Sequence, residues 1–162
     1  MTRLIRHLSV VFIAVALAGG VGCSSKKKAD EEGVSTDADM NAMGDSDTGQ
    51  AMGMETVNFP YDSYVLTDSA KKKLNANGAI LKDKSSLKIQ VEGHCDERGG
   101  IQYNLALGEK RAEAARKYLV DQGVEGDRIT TISFGKERPL DKGHSEGAWS
   151  KNRRANFVIT SR

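Results

Sequence analysis

Five residue types that can do chemistry stand side by side at positions 94–98: His94, Cys95, Asp96, Glu97 and Arg98, within the stretch VEGHCDERGG. Three chemistries suit such a set: attack by a thiolate, ligation of a metal, and recognition of a charged ligand. Attack needs a base facing the thiol, yet neighbours on an extended strand point to opposite sides. A nucleophile and its base normally converge from distant segments. The only other histidines are His7 and His144. A zinc site needs ligand pairs at set spacings, and His94-Cys95-Asp96 has no second pair. No catalytic residue, metal ligand or cofactor is therefore expected. The bland reading makes Cys95 a small buried side chain at a strand end and His94 a hydrogen-bonded structural residue.

Recognition uses more of the sequence. In an α/β unit, ligands collect beyond the carboxyl ends of strands, and Asp96 follows a strand-like segment there. Asn104 sits near the start of the next helix, in a position to cap it, and Arg111 comes about two turns later. A carboxylate and a guanidinium facing one space suit a zwitterion. Asp96 would accept from an ammonium while Arg111 grips a carboxylate through two hydrogen bonds. The same two residues equally suit a direct structural ion pair, and the residue pattern leaves both readings open.

These side chains need a scaffold, and the hydrophobic pattern supplies one. Glu55–Phe59 alternates as a strand. Thr67 offers an N-cap, and Ala70, Leu74, Gly78 and Leu81 then recur at helical spacing. SLKIQVEG places Leu87, Ile89 and Val91 on one side of a second strand. NLALGEKRAEAARKYLVDQG is the strongest helix, with Leu105, Ala112, Ala115 and Leu119 on one stripe and Gly123 as its C′ residue. RITTISFG reads as a third strand, SEGAWSKNRR as a turn or short helix, and ANFVITS as a fourth strand. The order β-α-β-α-β-(short α)-β predicts an α/β fold over residues 56–162, a two-layer α+β sandwich with a mixed four-stranded sheet.

The first residues read differently. Arg3 and Arg6 precede the apolar run Leu8–Ala18, which is short for a bilayer span, and small residues follow. This is the plan of a signal peptide over residues 1–22, with a short membrane anchor as the alternative. GGVGC followed by SSKKK resembles a bacterial lipoprotein signal, in which the cysteine, here Cys23, becomes an acylated N-terminus. Val21 and Gly22 fit that pattern; Gly20 stands where Leu is usual. With Cys23 acylated, Cys95 has no partner for an internal disulfide.

Residues 24–55 hold no aromatic and one β-branched aliphatic, Val34. Such a segment buries too little apolar area to offset ordering entropy, so residues 23–55 are expected to be a disordered tether. Its reach is roughly 30 Å r.m.s. and roughly 110 Å when stretched. Met40, Met43, Met52 and Met54 offer the alternative of a short docked helix. Charge separates along the chain: residues 29–55 carry eight acids and no base, and from residue 56 onward 19 Lys and Arg face 14 Asp and Glu. With no long basic run and no interleaved aromatics, nucleic acid is excluded as a partner.

VNFPYDSYVL, VEGHCDERGG, YNLALGEKRAEAARKYL, DRITTISFGKERP and GHSEGAWSKNRRANF occur in this order. Together they resemble the OmpA-like peptidoglycan-binding domain, and within that group the peptidoglycan-associated lipoproteins of the Tol–Pal system. The resemblance implies a pocket for the meso-diaminopimelate of peptidoglycan stem peptides. By motif matching, that pocket takes Asp96, Arg111, Asn104, Phe59, Asp62, His94 and Cys95, with one of Arg153 and Arg154. It also implies an outer-membrane, periplasm-facing lipoprotein without enzymatic activity, a role in cell division, and TolB and other Tol proteins as partners. Ser24 after the cysteine agrees with outer-membrane sorting. The alternative class is an adaptor that chiefly binds TolB or another envelope protein. Two positions depart from the pattern. Pro60 replaces an acid and removes a backbone N–H, and Cys95 stands where Ala or Thr is commoner.

Overall fold

The structure, a computed structural model, describes residues 43–162. The expected signal peptide, the lipidation site Cys23, Met40 and most of the tether lie outside the described residues. Eight elements follow one another: β1 (Val57–Asn58), α1 (Asp68–Asp83), β2 (Lys88–His94), α2 (Ile101–Asp121), a 3-10 turn (Gly126–Arg128), β3 (Ile129–Gly135), α3 (Glu146–Asn152) and β4 (Arg154–Ser161). The sheet order is β1-β4-β2-β3. β2 and β3 run parallel, from Ile89 opposite Ile129 to His94 opposite Gly135, and β4 is antiparallel to both β1 and β2. This is the mixed, helix-covered sheet that the pattern predicts.

The local signals act as their chemistry requires. The Thr67 hydroxyl accepts from the Ala70 N–H at 3.2 Å and starts α1. Gly123 turns the chain after α2 with φ +92°. Ile89 and Val91 of β2 join Phe157 and Ile159 of β4 in a core closed by Leu74 and Leu81 of α1 and Ala112, Ala115 and Leu119 of α2. The alternate residues Glu92 and His94 face the other side of the sheet. α2 lies unusually close to β2. A Cβ on Gly93 would stand 1.9 Å from the Gly108 carbonyl oxygen, so only glycine fits at that crossing.

Three expectations need correction. β1 has two residues rather than five, because Phe59 N–H goes to the Arg153 carbonyl and Pro60 brings no N–H to continue a ladder. α2 begins at Ile101, with Gly100 as its cap, so Asn104 lies one turn inside. The third correction concerns the tether. Residues 43–55 do not lead freely up to the domain; they form a strap along β4. Met43 N–H donates to Ile159 O, Ile159 N–H to Gly44 O, and Ser46 N–H to Phe157 O, at 2.8–3.0 Å. Two-residue β1 leaves that stretch of the β4 edge uncovered, and the strap supplies the missing partners. Ala51 and Met54 enter the core, while Met43 and Met52 stay exposed; the segment is made of turns, not the alternative helix.

Candidate functional site

The exit of β2 and the first turns of α2 enclose a cavity of about 250 Å³, lined by Tyr61, Asp62, Cys95, Asp96, Arg98, Gly99, Tyr103, Asn104, Leu107 and Arg111. The sequence-predicted Asp96 and Arg111 both open into it. They do not touch through a salt bridge. Asp96, 4% exposed, is held by Arg98 at 2.7 Å and Arg153 at 3.2 Å. Burial works to raise its pKa, but these arginine hydrogen bonds outweigh it and hold the carboxyl below its ordinary value.

Arg111 is 1% exposed, and its three hydrogen bonds all go to main-chain carbonyls: Nε to Ser63, Nη1 to His94 and Nη2 to Pro60, at 2.9–3.1 Å. Among the described residues no carboxylate pairs with it. Burial pushes its pKa below the ordinary guanidinium value, with Cys95 and Asp96 opposing. A buried guanidinium satisfied only by neutral acceptors keeps an unbalanced charge, and the cavity is the side from which an anion can reach it.

The other expected residues divide into two groups. Asn104 ties the loop down, donating from Nδ2 to Arg98 O at 2.9 Å and Gly100 O at 3.2 Å. Its own carbonyl accepts from the Cys95 thiol at 3.3 Å. Burial pushes the Cys95 thiol up, so it stays protonated and poorly nucleophilic. Asp62, held at φ +50°, lines the cavity and accepts from the Tyr103 hydroxyl. Phe59 lies beneath Arg111, whose guanidinium is 5.4 Å from the ring centre, and its carbonyl accepts from Arg153 Nε.

Of the expected residues, Phe59, His94, Arg153 and Arg154 do not line the cavity; Phe59 and Arg153 lie behind its lining, and the His94 ring and Arg154 face away. Strand alternation sends the His94 ring to the opposite face, where it stacks on Phe134 at 5.6 Å; only its carbonyl serves the site, through Arg111. Arg154 likewise faces away and pairs with Asp47 of the strap at 2.7 Å. Of the two arginines, Arg153 is the one that reaches Asp96, at 3.2 Å. Pro60 loses an N–H but its carbonyl holds Arg111.

Sequence reasoning missed Arg98, Tyr61, Tyr103 and Trp149. The Arg98 guanidinium sits 4.0 Å from the Tyr61 ring centre and 4.1 Å from that of Trp149. The signal was present: Arg98 belongs to the charged cluster itself, two residues beyond Asp96. Its aromatic neighbours come from a turn and from α3, and no local pattern joins those segments to the loop.

Comparison with known proteins now adds to the geometry. Residues 58–153 match the model of the OmpA family. The peptidoglycan-associated lipoprotein of Pseudomonas aeruginosa is 41% identical over 156 residues, covering 90% of this chain and 92% of that protein. That of Pasteurella multocida is 37% identical, covering 90% and 93%. The chain belongs to the OmpA family, among the peptidoglycan-associated lipoproteins. The crystal structure of the Burkholderia pseudomallei member superposes with a TM-score of 0.62 at 42% identity, covering 64% of this chain and 88% of that one. The C-terminal domain of Helicobacter pylori MotB, at 20% identity and a TM-score of 0.63, shares the OmpA-family fold. As a member of this family the chain is not an enzyme.

Proposed function

We propose that this chain is an outer-membrane lipoprotein that holds peptidoglycan non-covalently by the diaminopimelate of its stem peptides. The names of its relatives support peptidoglycan association. The observation that carries the finer reading is Arg111: a buried cation with only neutral partners, opening into the same cavity as the Asp96 carboxylate. The free end of diaminopimelate carries an ammonium and a carboxylate on one carbon. The carboxylate neutralises Arg111, and the ammonium goes to Asp96. Acylation at Cys23 anchors the chain, facing the periplasm, and TolB and other Tol proteins are its protein partners.

Retention on purified sacculi tests the cavity. Arg111→Ala and Asp96→Ala are each expected to weaken binding about tenfold to a hundredfold, the range for losing a charge-assisted hydrogen bond. Wild-type retention by both variants would remove the assignment. Sacculi that carry lysine in place of diaminopimelate lack the second carboxylate and are expected to bind poorly.

The adaptor reading has one observation in its favour. Tyr61, Tyr64, Val65, Ile101 and Tyr103 are all about half exposed or more, a set of large apolar side chains that suits a protein partner. Retention of the wild type and of Arg111→Ala on sacculi, with and without added TolB, separates the two: direct wall binding needs Arg111 and not TolB, whereas an adaptor is retained only through its partner and independently of Arg111. An adaptor keeps its partner when the cavity is lost.

A further inference from the structure

Asp96 has no acceptor site left for a ligand. Its Oδ1 accepts from the Arg98 main-chain N–H at 3.1 Å and from Arg98 Nε at 3.2 Å; its Oδ2 accepts from Arg98 Nη2 at 2.7 Å and Arg153 Nη1 at 3.2 Å. A carboxylate offers about four acceptor positions, so an incoming ammonium must displace a donor. The donors are not equally fixed. The Arg153 side chain is 7% exposed and is also bonded to Phe59 O and to Glu146. The Arg98 side chain is 29% exposed, at the rim. A second acid is already within reach of it, Glu146 Oε2 at 3.7 Å from Nη2.

We propose that the Arg98 guanidinium is an internal occupant of the Asp96 seat, which a ligand ammonium displaces toward Glu146. The inference rests on the ammonium–carboxylate reading of the cavity. Arg98 is a specificity residue under this scheme. A ligand gains Asp96 only if it carries a cation able to compete with a guanidinium already in place, and it is retained only if it also brings an anion for Arg111. A diaminopimelate acylated on the amine of its free end is rejected, because a neutral amide cannot replace the arginine. The apparent dissociation constant is the intrinsic one divided by the fraction of molecules with Arg98 out of the seat, so the resident arginine weakens binding without touching the ligand.

Trp149 is the only tryptophan in the chain and lies against Arg98, so its emission reports the displacement. Meso-diaminopimelate is titrated into the full-length chain, with calorimetry for affinity and Trp149 fluorescence for Arg98. Ligand is expected to shift the wild-type emission. Arg98→Ala is expected to bind about threefold to tenfold more tightly, with no ligand-induced shift, and Arg98→Gln to change affinity in the same direction. If the wild type binds and Arg111→Ala does not, but Arg98→Ala binds no more tightly or the wild-type emission stays flat, the internal-occupant inference is overturned while the wall-binding reading stands. If Arg111→Ala binds like the wild type, the cavity reading falls and takes the inference with it.

Discussion

His94 shows how one residue serves two faces of the sheet with opposite ends of its structure. Its carbonyl holds Arg111, while its ring lies 1% exposed among Phe134, Glu92, Arg154 and Asp47. Neither ring nitrogen has a well-formed hydrogen bond, although Nε2 stands 3.4 Å from Glu92 Oε2. Burial holds the imidazole below its ordinary 6.5, and Glu92 only partly offsets that. Between the depressed value and 6.5 the unfolded chain binds more protons than the folded one. The His94 contribution is therefore intact above 6.5 and is lost as pH falls through the folded value. Glu92 and Asp96 are also depressed, but from 4.5 and 3.8, so their losses begin at lower pH. The urea midpoint of the wild type is expected to drop from pH 7.5 to 5.5, and His94→Gln, neutral throughout, to lose most of that drop. An equal drop in both would place the titrating group elsewhere. The sequence made Asp96 and Arg111 legible because their separation by a loop and two helical turns is fixed by the elements. It did not separate Arg153 from Arg154, because adjacent residues at a strand start differ only in which face they take, and that depends on the register of β4 against β2.

At the level of elements, the site depends on how closely α2 approaches β2. Gly93 and Gly108 meet backbone to backbone: a Cβ on Gly108 would stand 2.3 Å from Ser133 Oγ, and one on Gly93 would overlap the Gly108 carbonyl. The obstacle at Gly93 is main chain, so no rotamer change relieves it. Gly93→Ala is expected to destabilise the fold by about 3 kcal/mol or more, at the upper end for an overpacked core. It also pushes Arg111 away from the His94 carbonyl, so any folded fraction is expected to bind meso-diaminopimelate weakly. A denaturant midpoint with calorimetry on the same sample checks both, and a wild-type midpoint would refute the close-packing account. Periodicity made the helices and strands readable because each buries its own apolar stripe. It did not reveal the strap. Residues 43–55 are polar and acidic, and they are held by what they meet rather than by what they contain. Asn156 Oδ1 accepts from the Ser46 and Asp47 main-chain N–H groups and the Ser46 hydroxyl, and Asn77 exchanges two hydrogen bonds with the Glu55 main chain.

For the whole molecule, the strap decides where the folding unit begins. The stretch matched by the family model stops at residue 153, before β4, and starts at residue 58, after the strap. The structure ties those two flanking pieces to each other. Asp47 Oδ2 accepts from Arg154 Nε at 2.7 Å, with both side chains under 10% exposed, and Asp47 Oδ1 accepts from the Thr56 hydroxyl. Removing residues 1–55 takes away the Asp47 carboxylate and, with it, Ala51 and Met54 from the core; Asp47→Ala instead leaves Arg154 buried without its partner, a change that costs about 3–5 kcal/mol. The truncation also uncovers the main-chain groups of Phe157 and Ile159 at the sheet edge, a template for pairing with another chain. A chain beginning at Thr56 is therefore expected to unfold at a clearly lower urea concentration than one beginning at Asn41, and to self-associate in sedimentation velocity at concentrations where the longer chain stays monomeric. Asp47→Ala in the longer chain isolates the ion pair: it is expected to reproduce part of the loss of stability but not the self-association, since the Met43, Gly44 and Ser46 main-chain bonds remain. If the chain from Thr56 matches the longer one in both measurements, the strap is a passenger and the folded domain begins at residue 56, where the sequence pattern put it.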